Sequence, residues 1–308
     1  MRHDLDHHEG QRVSRRRLIA GVGSIGLAGL LAACGRDDGT VTTSTGETVS
    51  PQATASTSAD LTALFGAANT CTLTATTTQG PYYFDADKIR SDIREDRAGT
   101  RLRVAIRVQD SEQCGPLADA VVEIWHCDAD GLYSGAEAQS SGASGGGSAP
   151  GGSPPSNPPT GNPPTGNPPG GGAAPGGGAA PGGGAEGASA DLTPTDDKRY
   201  LRGAQVTNAD GIVEFTTVWP GWYRGRTTHI HAMVHVGDNR VLTTQMMFDE
   251  ALNSRVYAAA PYAAHTGRDT FNDNDTIYAE TMLMKVVEDG DGYLSVINFS
   301  VDADRDGT

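Results

Sequence analysis

The sequence predicts an all-β protein, namely a β-sandwich of mixed sheets with long loops and a disordered insertion rich in proline and glycine. Three observations lead to this fold class. Short segments with apolar residues at alternate positions recur along the chain, turn signals such as Asp210-Gly211 separate them, and long helical segments do not alternate with them. Many short strands joined by turns are typical of a sandwich.

The chain begins with a predicted export signal over residues 1–33. A twin-arginine pattern at 14–19 precedes an apolar run rich in glycine and alanine, and small residues then precede Cys34. The run is too short and too rich in glycine to be a transmembrane helix. We therefore expect export by the twin-arginine route to the cell envelope, with cleavage before Cys34 and a lipid anchor on that cysteine.

Two low-complexity segments flank and interrupt the predicted folded domain, which spans 69–308. Residues 34–68 are predicted to form a flexible tether, because threonine, serine, glycine and alanine dominate them, with Asp60–Ala68 as the helix candidate. Residues 137–190 contain Pro/Gly-rich repeats that exclude helix and sheet interiors. We interpret 137–190 as a loop inserted in one domain, because the preceding piece is too short to fold alone.

The ordered remainder is predicted to consist of strands. In Arg101–Val108, apolar residues alternate with arginine and alanine, which is typical of a half-buried strand. Turn signals such as Asp130-Gly131 and Asp289-Gly290 bound other apolar segments. The remaining predicted strands are 120–125, 213–218, 228–236, 241–248, 281–287 and 293–299.

Charge and cysteine content limit the possible partners and bridges. The formal net charge of −15 argues against nucleic acid as a partner, because an acidic surface repels phosphate backbones. With Cys34 assigned to the lipid, Cys71, Cys114 and Cys127 remain, which allows one disulfide and one free thiol. We favour Cys71–Cys114, although the sequence alone leaves the connectivity open.

A metal site is predicted in the run Trp219-Pro-Gly-Trp-Tyr-Arg-Gly-Arg-Thr-Thr-His-Ile-His231. On a strand over 228–236, His229 and His231 point to the same face, together with Met233 and His235. A tyrosine ahead of a His-x-His pair suggests a metal held by phenolate and imidazole, and phenolate suits ferric iron better than zinc. The alternative is a solvated sheet face. His235 lies farther along the strand without a tyrosine beside it, and we interpret it as a surface residue or as one that lies next to the ligands.

A second group of candidate ligands follows the strand 120–125. The segment Trp125-His-Cys-Asp-Ala-Asp-Gly-Leu-Tyr133 places Tyr133 at the mouth of a loop. A calcium loop at Asp128 is disfavoured, because the glycine comes too early and no bidentate glutamate follows. A zinc site at His126 and Cys127 is disfavoured, because adjacent strand residues point to opposite faces.

Together these segments resemble a known enzyme family. Residues 119–135, 202–217 and 220–231 are similar to the intradiol ring-cleavage dioxygenases, which include protocatechuate 3,4-dioxygenase and catechol 1,2-dioxygenase. Gln79-Gly-Pro-Tyr-Tyr83 resembles the motif at which the family's core begins. The resemblance covers roughly 69–300 apart from the insertion.

The resemblance implies a site and an activity. It implies non-haem Fe(III) bound by Tyr133, Tyr223, His229 and His231. Such an enzyme cleaves a catechol-type aromatic diol with O2 to a cis,cis-muconate-type diacid, and Tyr223 acts as an internal base. Two further side chains match family positions, an arginine beside the substrate and a polar residue at the iron, namely Arg226 and Gln245.

Two other functions are compatible with parts of the sequence. One is a non-catalytic β-sandwich lipoprotein that binds carbohydrate or protein and holds no iron. The other is a cupin, since His-x-His also opens that motif, but the expected glutamate and second motif are missing. Which catechol is cleaved and the oligomeric state stay open. We expect pocket residues from Gln79–Tyr83, Leu132, Trp222 and Tyr257–Tyr262.

Overall fold

The computed structural model describes residues 11–12, 41–42, 48–49, 59–68, 71–86, 88–144, 191–237 and 239–304. The predicted twin-arginine pattern, Cys34 and most of the predicted insertion lie outside these residues. Within the described ranges, no helix is long and apolar enough to cross a membrane.

Strands predominate among the regular elements of the described residues, with three helices and two 3₁₀ turns beside them. The helices are α1 (Ala59–Ala67), α2 (Glu137–Ser144) and α3 (Glu250–Tyr257), and the 3₁₀ turns are Tyr262–Ala264 and Glu280–Met282. The strands are β1 (Gln11–Arg12), β2 (Val41–Thr42), β3 (Thr48–Val49), β4 (Lys88–Ile89), β5 (Arg101–Asp110), β6 (Val121–Trp125), β7 (Arg202–Val206), β8 (Ile212–Val218), β9 (His229–Val236), β10 (Asn239–Met247), β11 (Lys285–Asp289) and β12 (Gly292–Val301).

Two mixed sheets build the fold, which confirms the predicted β-sandwich. One sheet has six strands in the order β1-β4-β7-β6-β9-β10, and the other has four in the order β11-β12-β5-β8. The pairs β4–β7 and β5–β12 are parallel, and the other pairs within these two sheets are antiparallel. A separate two-stranded sheet pairs β2 with β3.

The main core lies between the apolar faces of the two large sheets. Alternate residues of β9 enter it, as the period of two predicts, and they meet alternate residues of β5, β6, β8 and β12. Burying a valine or isoleucine side chain in this way contributes about 1.5–3 kcal/mol. His229 and His231 therefore lie on the opposite face of β9. The β9 residues in the core are Ile230, Ala232 and Val234.

Helix α1 confirms the predicted helix and shortens the predicted tether over 34–68. Leu61 and Phe65 are buried against β5 and β12. The side-chain amide of Asn298 donates to the carbonyl of Phe65 at 3.1 Å, and the Arg107 guanidinium lies 5.2 Å from the Phe65 ring centroid. The last part of the predicted tether is therefore packed against the four-stranded sheet.

Helix α2 occupies the start of the predicted insertion 137–190. Its Glu137 accepts a hydrogen bond from the Tyr200 hydroxyl at 2.7 Å and forms an ion pair with Lys198. Ser140, one helical turn further on, is buried. These residues contain no proline, so helix is permitted, and the Pro/Gly-rich repeats begin further along the chain than the predicted boundary.

Strand β7 and helix α3 are among the elements missing from the sequence interpretation, and one predicted strand starts later than expected. The residues of β7, Arg-Gly-Ala-Gln-Val, lack an apolar period of two. Helix α3 begins after Asp249, whose carboxylate accepts hydrogen bonds from the N–H groups of Ala251 and Leu252. The predicted strand 281–287 begins only at Lys285, after a 3₁₀ turn.

The favoured disulfide is confirmed. Cys71 and Cys114 are bridged with their Cα atoms 5.4 Å apart. Cys127 is a buried free cysteine, and burial raises the pKa of its thiol. The bridge links Cys71, at the start of the segment 71–80, to the turn that follows β5.

Candidate metal centre

Strand β9 brings the two predicted histidine ligands together. His229 and His231 lie on the same face, and each is only 2% exposed. Their Nε2 atoms are 3.2 Å apart. His235 lies near the end of the strand and is half-buried, and its place outside the ligand set stays a prediction.

Two loops bring the predicted tyrosine ligands to the same point. The Tyr133 hydroxyl lies 3.5 Å from His229 Nε2, and the Tyr223 hydroxyl lies 3.2 Å from the same atom. Both phenol rings are buried. All four side chains predicted as metal ligands therefore converge around one imidazole nitrogen.

A tight turn fixes the loop that carries Tyr133. The Asp128 carboxylate accepts the backbone N–H groups of Asp130 at 3.0 Å and Leu132 at 2.9 Å. This carboxylate serves the backbone of its own turn, as aspartate commonly does. The backbone N–H of Tyr133 then donates to the Ser140 hydroxyl of α2 at 3.0 Å.

The loop that carries Tyr223 packs directly against the first loop. The N–H of Gly221 donates to the carbonyl of Asp128 at 3.1 Å, and a Cβ at Gly221 would lie 2.3 Å from that carbonyl oxygen. Only glycine permits this approach. The two loops that carry the tyrosines are therefore positioned against each other.

Two buried tyrosines brace the same turn from the core side. Tyr262 donates to the carbonyl of Trp219 at 2.6 Å, and Tyr257 donates to the carbonyl of Pro220 at 2.9 Å. Tyr262 belongs to the main core, and Tyr257 packs against it. The hydroxyls of these two side chains therefore hold the backbone ahead of Tyr223, and the expectation that the 257–262 region contributes pocket residues stays a prediction.

Gln245 and Trp125 flank His231 across three neighbouring strands. His231 is paired with Trp125 of β6 on one side and with Gln245 of β10 on the other. Residues directly opposite in antiparallel strands project from the same face. Gln245 is fully buried, and it is therefore placed beside the histidines, as predicted.

Arg226 lies at the same site and is held at two points. Its Nη2 donates to Gln245 Oε1, and its Nε donates to Asp275 Oδ2 at 3.0 Å. The sequence interpretation missed Asp275. It lies 49 residues beyond Arg226, in a loop without a recognisable motif, so no local signal could have identified it.

Arg202 is a second buried group that sequence reasoning did not identify. Its Nη2 donates to the carbonyls of Tyr82 and Ser134 at 2.8 and 2.9 Å, and burial lowers its pKa to about 9. The Tyr82 ring stacks on Tyr133 with centroids 4.7 Å apart. Arg202 thereby ties the 79–83 segment to the loop that carries Tyr133.

Burial controls the protonation of the four converging side chains. It lowers the pKa of His229 to about 3 and that of His231 well below its ordinary value, and Arg226 adds to both effects. It also raises the pKa of the Tyr133 and Tyr223 phenols. Near neutral pH, the imidazoles are therefore neutral, and the phenols keep their protons unless a cation lies beside them.

The hydrogen bonds around His229 fit a metal ion. His229 Nδ1 lies 2.6 Å from the carbonyl of Thr227, so we assign the proton to Nδ1 and the lone pair to Nε2. That single lone pair faces the hydroxyls of Tyr133 and Tyr223 as well as His231 Nε2, and it cannot accept from all three. A cation placed among these atoms would bind both hydroxyl oxygens and both Nε2 atoms as ligands. Two phenolates with two imidazoles suit ferric iron.

The tyrosines are essential to this donor set. Within the described residues, no group of three or more His, Cys, Asp or Glu side chains is placed to hold a metal ion. The centre therefore differs from zinc and calcium sites, which are built mainly from those residue types and from carbonyl oxygens.

Comparison with known proteins finds relatives of the fold. No family model and no curated protein matches the sequence. An intradiol ring-cleavage dioxygenase from Tetranychus urticae is similar, with 27% identity, coverage of 76% of this chain and 96% of that one, and a TM-score of 0.57. A dioxygenase named Tetur07g02040 is similar at 28% identity, with the same coverage of 76% and 96% and the same TM-score of 0.57.

Proposed function

We propose that this chain, by its fold and motifs, belongs to the intradiol ring-cleavage dioxygenases and that it is a non-haem Fe(III) enzyme. Its reaction would cleave a catechol-type aromatic diol with O2 to a cis,cis-muconate-type diacid. The observation that carries the proposal is the convergence of two phenols and two imidazoles around His229 Nε2, at distances of 3.2 to 3.5 Å.

The four converging side chains are suited to hold the metal. Bound ferric iron would supply a Lewis acid that binds the diol oxygens and makes the ring reactive towards O2. His229 and His231 are neutral and need lose no proton to serve as ligands. Tyr133 and Tyr223 would bind as phenolates, which the nearby Arg226 guanidinium favours.

Tyr223 is the proposed base for the substrate. Tyr223 lies in a loop, its hydroxyl oxygen is 3.2 Å from His229 Nε2, and the charge of Arg226 acts to lower the pKa of its phenol. Taking up a diol proton at this oxygen would leave the substrate as an anion. Tyr133, in contrast, is fixed by the bond from its backbone N–H to Ser140, which suits a permanent ligand.

Arg226 would stabilise negative charge on the substrate, and Gln245 would hold Arg226 in place. A fixed guanidinium stabilises negative charge that develops on the ring, because it needs no reorganisation during the reaction. Gln245 holds that guanidinium through its side-chain oxygen. The buried aromatic and apolar side chains next to the centre, Tyr82, Trp125 and Met233, would exclude water from it.

The direct test is a visible absorption spectrum of the purified protein, before and after adding catechol without oxygen. We expect a broad tyrosinate-to-iron band that moves to longer wavelength with catechol. Oxygen uptake and product analysis on a panel of diols would then identify the substrate. A protein that stays colourless after iron reconstitution would overturn the proposal and favour a non-catalytic sandwich that binds carbohydrate or protein.

We also propose that the enzyme is exported by the twin-arginine route and anchored to the envelope through a lipid on Cys34. The arginines at 14–19 and the small residues ahead of Cys34 support this location. Cell fractionation tests it. Replacing Arg15 and Arg16 with lysine should retain the protein inside the cell, and Cys34→Ser should release it from the membrane fraction.

A further inference from the structure

Asp275 is a buried carboxylate whose two oxygens are both engaged by the site's surroundings. Oδ2 accepts from Arg226 Nε at 3.0 Å and from the backbone N–H of Thr227 at 2.7 Å. Oδ1 accepts from the backbone N–H of Ile277 at 2.8 Å. The side chain is 0% exposed, so these charge-assisted bonds are shielded from water.

The carboxylate controls the orientation of the Arg226 guanidinium. This group is planar, and two contacts at different nitrogens fix both its position and its plane. Asp275 holds Nε, and Gln245 holds Nη2. Since Gln245 is neutral, Asp275 supplies the negative charge of the pair, and the Arg226 side chain is itself only 17% exposed.

Thr227 connects the same carboxylate to a ligand histidine. Its N–H bonds to Asp275, and its carbonyl lies 2.6 Å from His229 Nδ1. Its hydroxyl donates to Asn272 Oδ1 at 2.7 Å. Asn272 and Asp275, both in the 268–278 loop, therefore hold Thr227 by its hydroxyl and its N–H. The carbonyl of Thr227 in turn orients the His229 ring.

We propose that Asp275 is a positioning residue for ring cleavage, which it serves by holding Arg226 against the site where charge develops on the substrate. This inference rests on the proposed function. Loss of the carboxylate leaves Gln245 to hold the guanidinium at Nη2, so the group can turn about that contact. A displacement of about 1 Å in such a group can cost about 100-fold in rate.

The test compares Asp275→Asn with Asp273→Asn, which removes an equal charge from an exposed position in the same loop. We expect Asp275→Asn to retain iron and its catechol-bound absorption band, while kcat falls by about 10- to 100-fold and KM changes little. Asp273→Asn should match the wild type. Wild-type kcat in Asp275→Asn would overturn the inference.

A double-mutant cycle separates positioning from a general structural effect. If Asp275 acts through Arg226, adding Asp275→Asn to Arg226→Met should cause no further loss of kcat. Independent, multiplying losses would overturn the inference. If Asp275→Asn does not fold, Asp275→Glu replaces it, because glutamate keeps the charge but displaces the carboxylate by one methylene, and the same criterion applies. A wild-type protein without an iron band would instead contradict the proposed function.

Discussion

The indole of Trp125 stacks face to face on the imidazole of His231, with ring centroids 5.0 Å apart and planes 4° apart. From another direction, Gly80 lies so close that a Cβ there would be 3.1 Å from His231 Cε1. Among the described residues, the Nδ1 atom of His231 has no hydrogen-bond partner. Packing of the ring therefore orients this histidine, whereas a carbonyl orients His229.

The first prediction concerns Gly80→Ala. Gly80 has φ of +72°, and an added methyl would press on His231, so we expect loss of stability together with reduced iron occupancy. Gly237 has φ of +55° with no atom within 4 Å of a built Cβ, which makes Gly237→Ala the matched control. Both changes should cost about 1–2 kcal/mol of backbone strain. Equal iron contents in the two variants would contradict the role of Gly80.

The second prediction separates the two tyrosines. Tyr223→Phe should retain some iron but lose turnover by about 10²- to 10⁴-fold, the range typical of a lost acid–base group. Tyr133→Phe should weaken iron retention and change the colour of the protein. Iron analysis, visible spectra and oxygen uptake measure these effects, with Tyr293→Phe on β12 as the control. Catechol cleavage at the wild-type rate in both variants would show that the ligand assignment is wrong.

The strand that carries the site could be predicted because its pattern is local. Alternation over 228–236 places His229 and His231 on one face and Ile230, Ala232 and Val234 on the other, and the structure confirms that division. The Tyr133 and Tyr223 loops could be related to each other only through the family resemblance, because spacing alone does not specify their contact at Gly221.

Other features could not be read from the sequence, since long-range contacts determine them. β7 lies inside the six-stranded sheet, and contacts with distant residues explain its sequence. Arg202 donates to the carbonyl of Tyr82, and a Cβ at Gly203 would lie 2.7 Å from Ile93. Asp275 is one of several aspartates in a polar loop, and its burial is visible only after folding. Helix α3 is different, because Asp249 is a local N-cap signal that was overlooked.

The third prediction is that Tyr262→Phe destabilises the fold. The Tyr262 hydroxyl donates to the carbonyl of Trp219 at 2.6 Å and accepts the N–H of Thr100 at 3.1 Å. Phenylalanine would leave both backbone groups without this partner, at a cost of about 1–3 kcal/mol. Urea unfolding of the metal-free protein measures the loss. An unfolding free energy equal to that of the wild type would show that water or a rearranged turn replaces the hydroxyl.

The fourth prediction concerns the disulfide and the free thiol. The Cys71–Cys114 bridge spans 43 residues of sequence separation, so reduction should lower the free energy of unfolding by about 2–4 kcal/mol. The Cys71→Ser/Cys114→Ser double variant should be insensitive to reductant.

Peptide mass analysis should find Cys127 alkylated only after unfolding, because its thiol is buried. Rapid alkylation of Cys127 in the native protein would contradict this packing.

The last prediction is a pH dependence that arises from Asp275. Burial raises the pKa of this carboxyl, but the hydrogen bond from Thr227 and the charge of Arg226 outweigh it, so the net pKa is lower than in the unfolded chain. The carboxylate therefore stabilises the fold above the unfolded pKa, about 3.9, and this contribution disappears as pH falls through the lower folded value. Urea unfolding of metal-free wild type and Asp275→Asn should give curves that differ most above about pH 5 and converge in acid. Asp273→Asn, measured alongside, accounts for the loss of one negative charge from the loop. A difference between wild type and Asp275→Asn that stays constant down to acid pH would show that Asp275 stabilises the fold by packing rather than by its charge.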